Sequence, residues 1–286
     1  MSITSEIVTV DPKTAKDWLA NQNINRTIKE KQVARIARDM LVGNWQLNGE
    51  SIIFDDSGNL IDGQHRLKAV IVSDTTVPMM IVRGVSPVAQ KTIDAGMTRS
   101  LGDYLTFSGM RSGTKLASFS RIVWFYRRGV FPACQTSAPP SQSELIGIAE
   151  ETYEEFLPIY NQVAVHYRQG IKNLFPCPPL VFLVWITGEA NQNKSMEFVE
   201  KLYCGKDLGS SDAVYHLRNT LIGLVTKRLM LGTRAKWVLL IRAWNYHYEN
   251  KLCSPQGFRA NDTQSFKSIS GAMYPMGSNP DVEADS

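Results

Sequence analysis

The sequence predicts an α+β protein, a small mixed sheet with flanking helices followed by an all-helical part. Two observations carry this. Up to about Leu105, short apolar runs alternate with helical-period segments separated by glycine-bearing turns. From about Arg111, successive amphipathic helices take over. The expected boundaries are 1–108 for the sheet domain, 109–253 for the helical domain and 254–286 for a mobile tail rich in Gly, Ser, Asn and Pro.

Taken in order, Ile7 to Val10 reads as a first strand and Thr14 to Asn21 as a helix. Thr27 and Glu30 have the spacing of a capping box, and Val33, Ile36, Ala37, Met40 and Leu41 follow at helical period until Gly43. The opposite face carries Lys29, Lys31, Arg35 and Arg38, either a solvated face or a nucleic-acid contact. Ser51 to Phe54 and Asn59 to Ile61 form a hairpin around Asp55-Asp56-Ser57-Gly58. A core helix runs from Gln64 to about Val72, and Val77 to Val82 is a strand whose apolar run suggests a central position. Pro87 opens a helix toward Ile93.

In the second part, helices are expected over Arg111 to Arg128, Ser143 to Glu151, Phe156 to Arg168, Leu180 to Ala190, Ser195 to Tyr203, Ala213 to Met230 and Thr233 to Tyr248. Prolines punctuate the loops at 132–142 and at Pro176-Cys177-Pro178-Pro179. The last helix interleaves Arg234, Lys236, Arg242 and His247 with Trp244, Tyr246 and Tyr248, with Lys227 and Arg228 just upstream. Such a pattern fits phosphate contacts with base stacking, but it fits better a core helix whose aromatics pack and whose cations snorkel.

Composition sets broad limits. The 286 residues, 43% hydrophobic and 20% charged, are ordinary for a globular protein. A net charge of +4, from 31 basic and 27 acidic residues, permits nucleic-acid binding without requiring it. Cys134, Cys177, Cys204 and Cys253 are widely spaced, which argues against a zinc site or disulfide framework. The amino terminus lacks the basic and apolar regions of a signal peptide, and Leu180 to Ile186 is too short to span a membrane. A cytoplasmic protein is expected.

The chemistry concentrates at Leu60-Ile61-Asp62-Gly63-Gln64-His65-Arg66-Leu67. Here a strand ends in a tight Asp-Gly turn and a helix begins. A glycine lets a ligand approach the backbone, and the helix start offers N–H groups at the positive end of a dipole. Arg66 is suited to bidentate capture of phosphate, and His65 adds a donor or an acid near neutral pH. The plainer alternative is a strand-turn-helix connector with a solvated polar start. A second acid-glycine-base cluster, Asp94, Gly96 and Arg99, lies in Asp94-Ala95-Gly96-Met97-Thr98-Arg99, either a further anion site or an ordinary helix end.

Asp62-Gly63-Gln64-His65-Arg66-Leu67, following Asn48-Gly49-Glu50-Ser51-Ile52 and the hairpin, resembles the signature of the ParB/sulfiredoxin-like superfamily in its DGQHR branch. The resemblance spans roughly Asn25 to Leu105, and the segment around Asp94 is similar to the one following this motif in phage and mobile-element proteins. It implies a fold in which the matching loop holds nucleotide phosphates, with a nucleoside tri- or diphosphate (ATP, ADP or CTP) and Mg²⁺ as ligands. Carried over, Gly63 and the amides of Gln64 and His65 cradle a phosphate, Arg66 neutralises it, and Glu50 or Asp62 serves as base or magnesium contact. The host cytoplasm is the implied compartment if the chain is phage-encoded.

Departures limit the resemblance. ParB has Gly-Glu-Arg-Arg at this point, with a helix-turn-helix behind it. Sulfiredoxin needs a cysteine where Gln64-His65 stands, and no cysteine precedes Cys134. The resemblance therefore implies a nucleotide-phosphate-binding protein acting on or beside DNA, as a phosphotransferase or hydrolase in DNA modification or processing. Its alternatives are a DNA-binding regulator without catalysis and a ParB-like nuclease. One Asp and one Glu fall short of the carboxylate cluster expected for two-metal cleavage.

Overall fold

The computed structural model describes residues 2–20, 28–91, 100–130, 139–171, 173–254 and 268–273. The chain divides into two compact units, 1–99 with 136–143, and 100–135 with 144–286. The first holds a small mixed sheet and the second is helical, which is the α+β arrangement expected from the sequence.

In the first unit, β1 (Thr4–Val10) is followed by α1 (Pro12–Ala20) and α2 (Glu30–Leu41). The hairpin β2 (Ser51–Asp55) and β3 (Leu60–Asp62) leads into α3 (Gln64–Ser73) and β4 (Val77–Val85), and a single 3₁₀ turn covers Pro87–Lys91. The strand order is β1-β4-β2-β3. β1 runs antiparallel to β4, from Thr4 opposite Arg83 to Val10 opposite Val77. β2 runs parallel to β4, with Ile52 opposite Ile81.

β4 is interior in the sheet, as its apolar run suggests, yet it does not bury both faces. Val77, Met79 and Ile81 are buried while Pro78 between them is exposed. The period-2 alternation means one covered face, and α3 packs with both α1 and α2. Their inward residues Val33, Ala37, Met40, Leu67 and Val70 join Ile52, Phe54 and Leu60 in one core.

α2 begins later than the capping-box spacing predicts. Its N-cap is Lys29, with no side-chain cap, and Thr27 lies outside the described residues. The basic face is also not uniformly solvated. Arg38 donates from Nη2 to the carbonyl of Pro139 at 2.6 Å, and neighbouring Asp39 accepts from Ser141 Oγ at 2.6 Å, so 139–141 is tied onto α2.

The second unit comprises α4 (Leu101–Phe107), α5 (Gly113–Arg127), α6 (Gln142–Gln169), α7 (Cys177–Thr187), α8 (Gln192–Cys204), α9 (Ala213–Thr226) and α10 (Thr233–Tyr248). Ser100 and Asp103 form a reciprocal capping box that starts α4. The two helices expected over 143–168 are one, α6, which passes through Pro158 without a break. Its buried positions Leu145, Ile148, Ala149, Thr152, Phe156 and Val163 keep helical period across the proline, which sits on the exposed side. Every residue of α7 is buried.

Aromatic pairs knit this core, among them Phe119 with Phe156 and Trp185, Phe182 with Trp237, and Phe198 with Trp244. Tyr203 is fully buried and donates to the Phe175 carbonyl at 2.9 Å; burial pushes its phenol well above the ordinary value. Cys177, Cys204 and Cys253 are free thiols, and Cys134 lies outside the described residues. Among the described residues no helix is long and apolar enough to cross a membrane.

Within the stretch expected to be a mobile tail, 268–273 is docked on α10 and the end of α7. Asn245 holds it through both ends of its amide, donating to the Ser268 carbonyl at 2.7 Å and accepting from the Ser270 N–H at 2.9 Å. Trp244 Nε1 donates to the Ser270 carbonyl at 2.9 Å, and Met273 N–H to the Ile186 carbonyl at 2.7 Å. Ile269 is buried.

Candidate functional site

Gly63 ends β3 and is the N-cap of α3, with φ at +102°. This left-handed conformation costs glycine little, and a Cβ there would run into Ile52 on β2, so the position admits glycine for two separate reasons. As a glycine, the N-cap has no side chain to cap α3, and Gly63 supplies the carbonyl that accepts from the N–H groups of Arg66 and Leu67.

Arg66, at the end of the first turn, reaches back across this loop. Its Nη1 donates to the carboxylate of Glu50. Its Nη2 donates to the Ser51 carbonyl at 2.8 Å and to Asp62 Oδ2 at 3.0 Å. The Nε is buried with no hydrogen-bond acceptor among the described residues. The Arg66 side chain is 14% exposed and Asp62 23%, whereas Glu50 is 67% exposed. The guanidinium is thus fixed by two inner acceptors and one outer, exposed carboxylate. Two carboxylates around one cation leave the cluster with a formal charge of −1, so an anion can join it only if a carboxylate moves away or a further cation enters.

The remaining predicted site residues divide. Gln64 is buried. His65 turns toward α2, where its Nε2 accepts from the Lys29 N–H at 3.0 Å. A ring nitrogen that accepts carries no proton, so the neutral ring here is the Nδ1–H tautomer. The structure therefore brings Glu50, Asp62 and Arg66 together, with Gly63 beside them, and directs His65 Nε2 at the start of a second helix. Asp94, Gly96 and Arg99 lie outside the described residues.

The hairpin behind the site is held by another carboxylate. Asp55 Oδ1 accepts from the N–H groups of Ser57 at 2.9 Å and Asn59 at 2.7 Å, and Oδ2 from Asn59 Nδ2 at 2.9 Å. Burial pushes the Asp55 carboxyl upward, but these bonds to the charged form outweigh it and hold the group below its ordinary value of 3.8.

Glu50 and Asp62 match the way Mg²⁺ is commonly held, by one or two carboxylates together with phosphates of the substrate. A group of three His, Cys, Asp or Glu able to hold a metal alone does not occur among the described residues. The aromatic-basic helix at the other end of the chain is a core helix. Trp237, Leu240 and Trp244 are buried, and His247 Nε2 lies 3.3 Å from the Lys194 carbonyl.

The Ser51 carbonyl as a partner of Arg66 and the Lys29 N–H as that of His65 have no signal in the sequence. Backbone acceptors and donors carry no signature in a side-chain motif. Comparison of the chain with protein-family models, with curated proteins and with solved structures gave no match.

Proposed function

We propose that the loop from Asp62 to Arg66 binds the phosphate of a nucleoside tri- or diphosphate, and that the protein acts on or beside DNA as a nucleotide-dependent phosphotransferase or hydrolase. The observation that carries this is the clamp on Arg66. A guanidinium stands beside a helix start whose N-cap is a glycine, and one of its three anchors, Glu50, is largely exposed. A phosphate takes the place of Glu50 on Nη1, while Ser51 and Asp62 keep the guanidinium in position. Glu50 is then released as a general base or, with Asp62, as a contact for Mg²⁺, whose charge compensates the excess of anions. The DNA context rests on the resemblance of the Asp62–Leu67 motif alone.

The test is calorimetric titration of ATP, ADP, CTP, GTP and duplex DNA, with and without Mg²⁺, into the wild type and Arg66→Ala. A nucleotide that binds the wild type, more tightly with Mg²⁺, and is lost in the variant supports the reading. Absence of binding and turnover for every nucleotide sinks it.

A second reading is a DNA-binding regulator without catalysis, in which the same loop grips backbone phosphate. It is favoured by the engagement of His65 with Lys29, which leaves its Nε2 no proton to donate. Duplex binding that weakens steeply with salt and ignores nucleotide would select it.

A further inference from the structure

α9 and α10 run antiparallel. Cys253, just past α10, donates its N–H to the Ser211 carbonyl just before α9 at 2.9 Å, and Asn245 near the end of α10 holds Ser268 and Ser270. The connection 227–232 therefore stands at the opposite end of the pair, about 20 Å away along the length of α9. Charge is one-sided over both helices. No acidic residue occurs between Asp212 and Glu249, whereas six Lys or Arg do, so neither helix carries a carboxylate that could neutralise them.

Three features of this end run against what stability alone favours. α9 closes with the Leu229 N–H on the Leu224 carbonyl at 2.9 Å and the Arg228 N–H on the Val225 carbonyl at 3.2 Å, a turn whose left-handed position is usually glycine. Arg228 holds that position, with φ at +52°. α10 opens on Gly232 without a side-chain cap, and its first turn carries Arg234 and Lys236 and no acid, where the helix dipole disfavours cations. Between the two helices, Leu229 is 58% exposed and Met230 92%. Lys227 and Arg228 are exposed as well, and among the described residues no hydrogen bond or ion pair engages their side chains or that of Lys236.

The partner that fits is a polyanion that also admits an aliphatic side chain. Residues 225–233 contain no aromatic. They offer neither a platform for stacking the bases of a single strand nor the Trp or Tyr that anchors a protein at a lipid interface. A duplex meets both requirements. Packed helices stand about 8–10 Å apart, so the cations ending α9 and starting α10 flank the tip as phosphates flank a minor groove about 6 Å wide. Leu and Met are among the side chains that wedge between base steps there.

We propose that the 227–232 end of the α9–α10 pair is a contact surface for duplex DNA, with Lys227, Arg228 and Lys236 on backbone phosphates and Leu229 and Met230 in the minor groove. The Arg66 loop plays no part in it.

The experiment is fluorescence anisotropy of a short labelled duplex titrated with the full chain at several salt concentrations. Two variants separate contact from structure. Arg228→Gly installs the residue the turn prefers, and Lys236→Glu puts an acid where the dipole favours one, so both should melt no lower than wild type. Each is expected to weaken duplex binding and to flatten the slope of log K against log salt by about 0.9 or more, the share of one phosphate contact. Met230→Ser should weaken binding and leave that slope unchanged. Absence of duplex binding by the wild type, unchanged binding in the two charge variants or in Met230→Ser, or capture by phosphatidylserine vesicles in place of the duplex overturns the proposal. So does duplex binding lost in Arg66→Ala while Arg228→Gly and Lys236→Glu bind as wild type, which assigns the duplex to the Asp62–Arg66 loop. Failure to bind any nucleotide bears on that loop alone.

Discussion

A Cβ on Gly63 would stand 2.5 Å from the Cδ1 of Ile52 and 3.2 Å from its Cα. β2 and the start of α3 therefore approach as closely as the backbone allows at the point where Arg66 reaches back to Ser51. The glycine fixes the spacing on which the clamp depends.

Gly63→Ala should accordingly destabilise the first unit by about 1–3 kcal/mol, from a non-glycine residue at positive φ together with the crowding against Ile52. Urea denaturation monitored by tryptophan fluorescence checks this. Unchanged stability would mean the loop relaxes without loss.

Arg66 and Glu50 should behave asymmetrically. Arg66→Ala removes a mostly buried cation and leaves Asp62 and the Ser51 carbonyl without it, for a loss of about 1–3 kcal/mol. Glu50→Ala removes a largely exposed partner and should cost less than about 1 kcal/mol. Chemical denaturation of the two single variants reads the difference, and equal losses would contradict the inner and outer division of the clamp.

Asp55 should set part of the acid limb of stability. Its folded-state value lies below the unfolded 3.8, so the stabilisation is fully present above the unfolded value and disappears as pH falls through the folded one. Wild type and Asp55→Ala should therefore differ by a constant amount from neutral pH down to about pH 5, and the difference should shrink below about pH 4. Denaturation curves across that range decide it. A gap that widens on acidification would reverse the sign.

Asn245→Ala should release 268–273 from α10, because one amide holds both the Ser268 carbonyl and the Ser270 N–H. The expected loss is about 1–3 kcal/mol, accompanied by faster proteolysis within 268–273. Resistance to protease equal to wild type would show that Trp244 and Ile269 suffice.

Much of the first unit was legible because its signals are local. The Asp55-to-Gly58 turn, the Asp62-Gly63 break and the apolar period of α2 each fit within a dozen residues. The clamp was legible only in part. Asp62 and Arg66 are four apart, but Glu50 and Ser51 reach Arg66 through strand pairing that no spacing displays. α6 escaped for a different reason. Glu150, Glu151, Glu154 and Glu155 followed by Pro158 look like a gap, whereas they occupy the outer side of a helix whose inner side is Ala149, Thr152 and Phe156. The docked segment at 268–273 was hidden because its capture is mainly through backbone groups, which composition does not report.

α7 has no polar face, since all eleven of its residues are buried. It packs on α5, made earlier, and on α8, made later, and Phe182 meets Trp237 of α10, made later still. On the ribosome, the most apolar of the described helices therefore emerges before much of its cover exists. Until α10 has left the exit tunnel, the nascent chain carries a sticky surface whose protection falls to chaperones, and slowing synthesis between α7 and α10 lengthens that exposure.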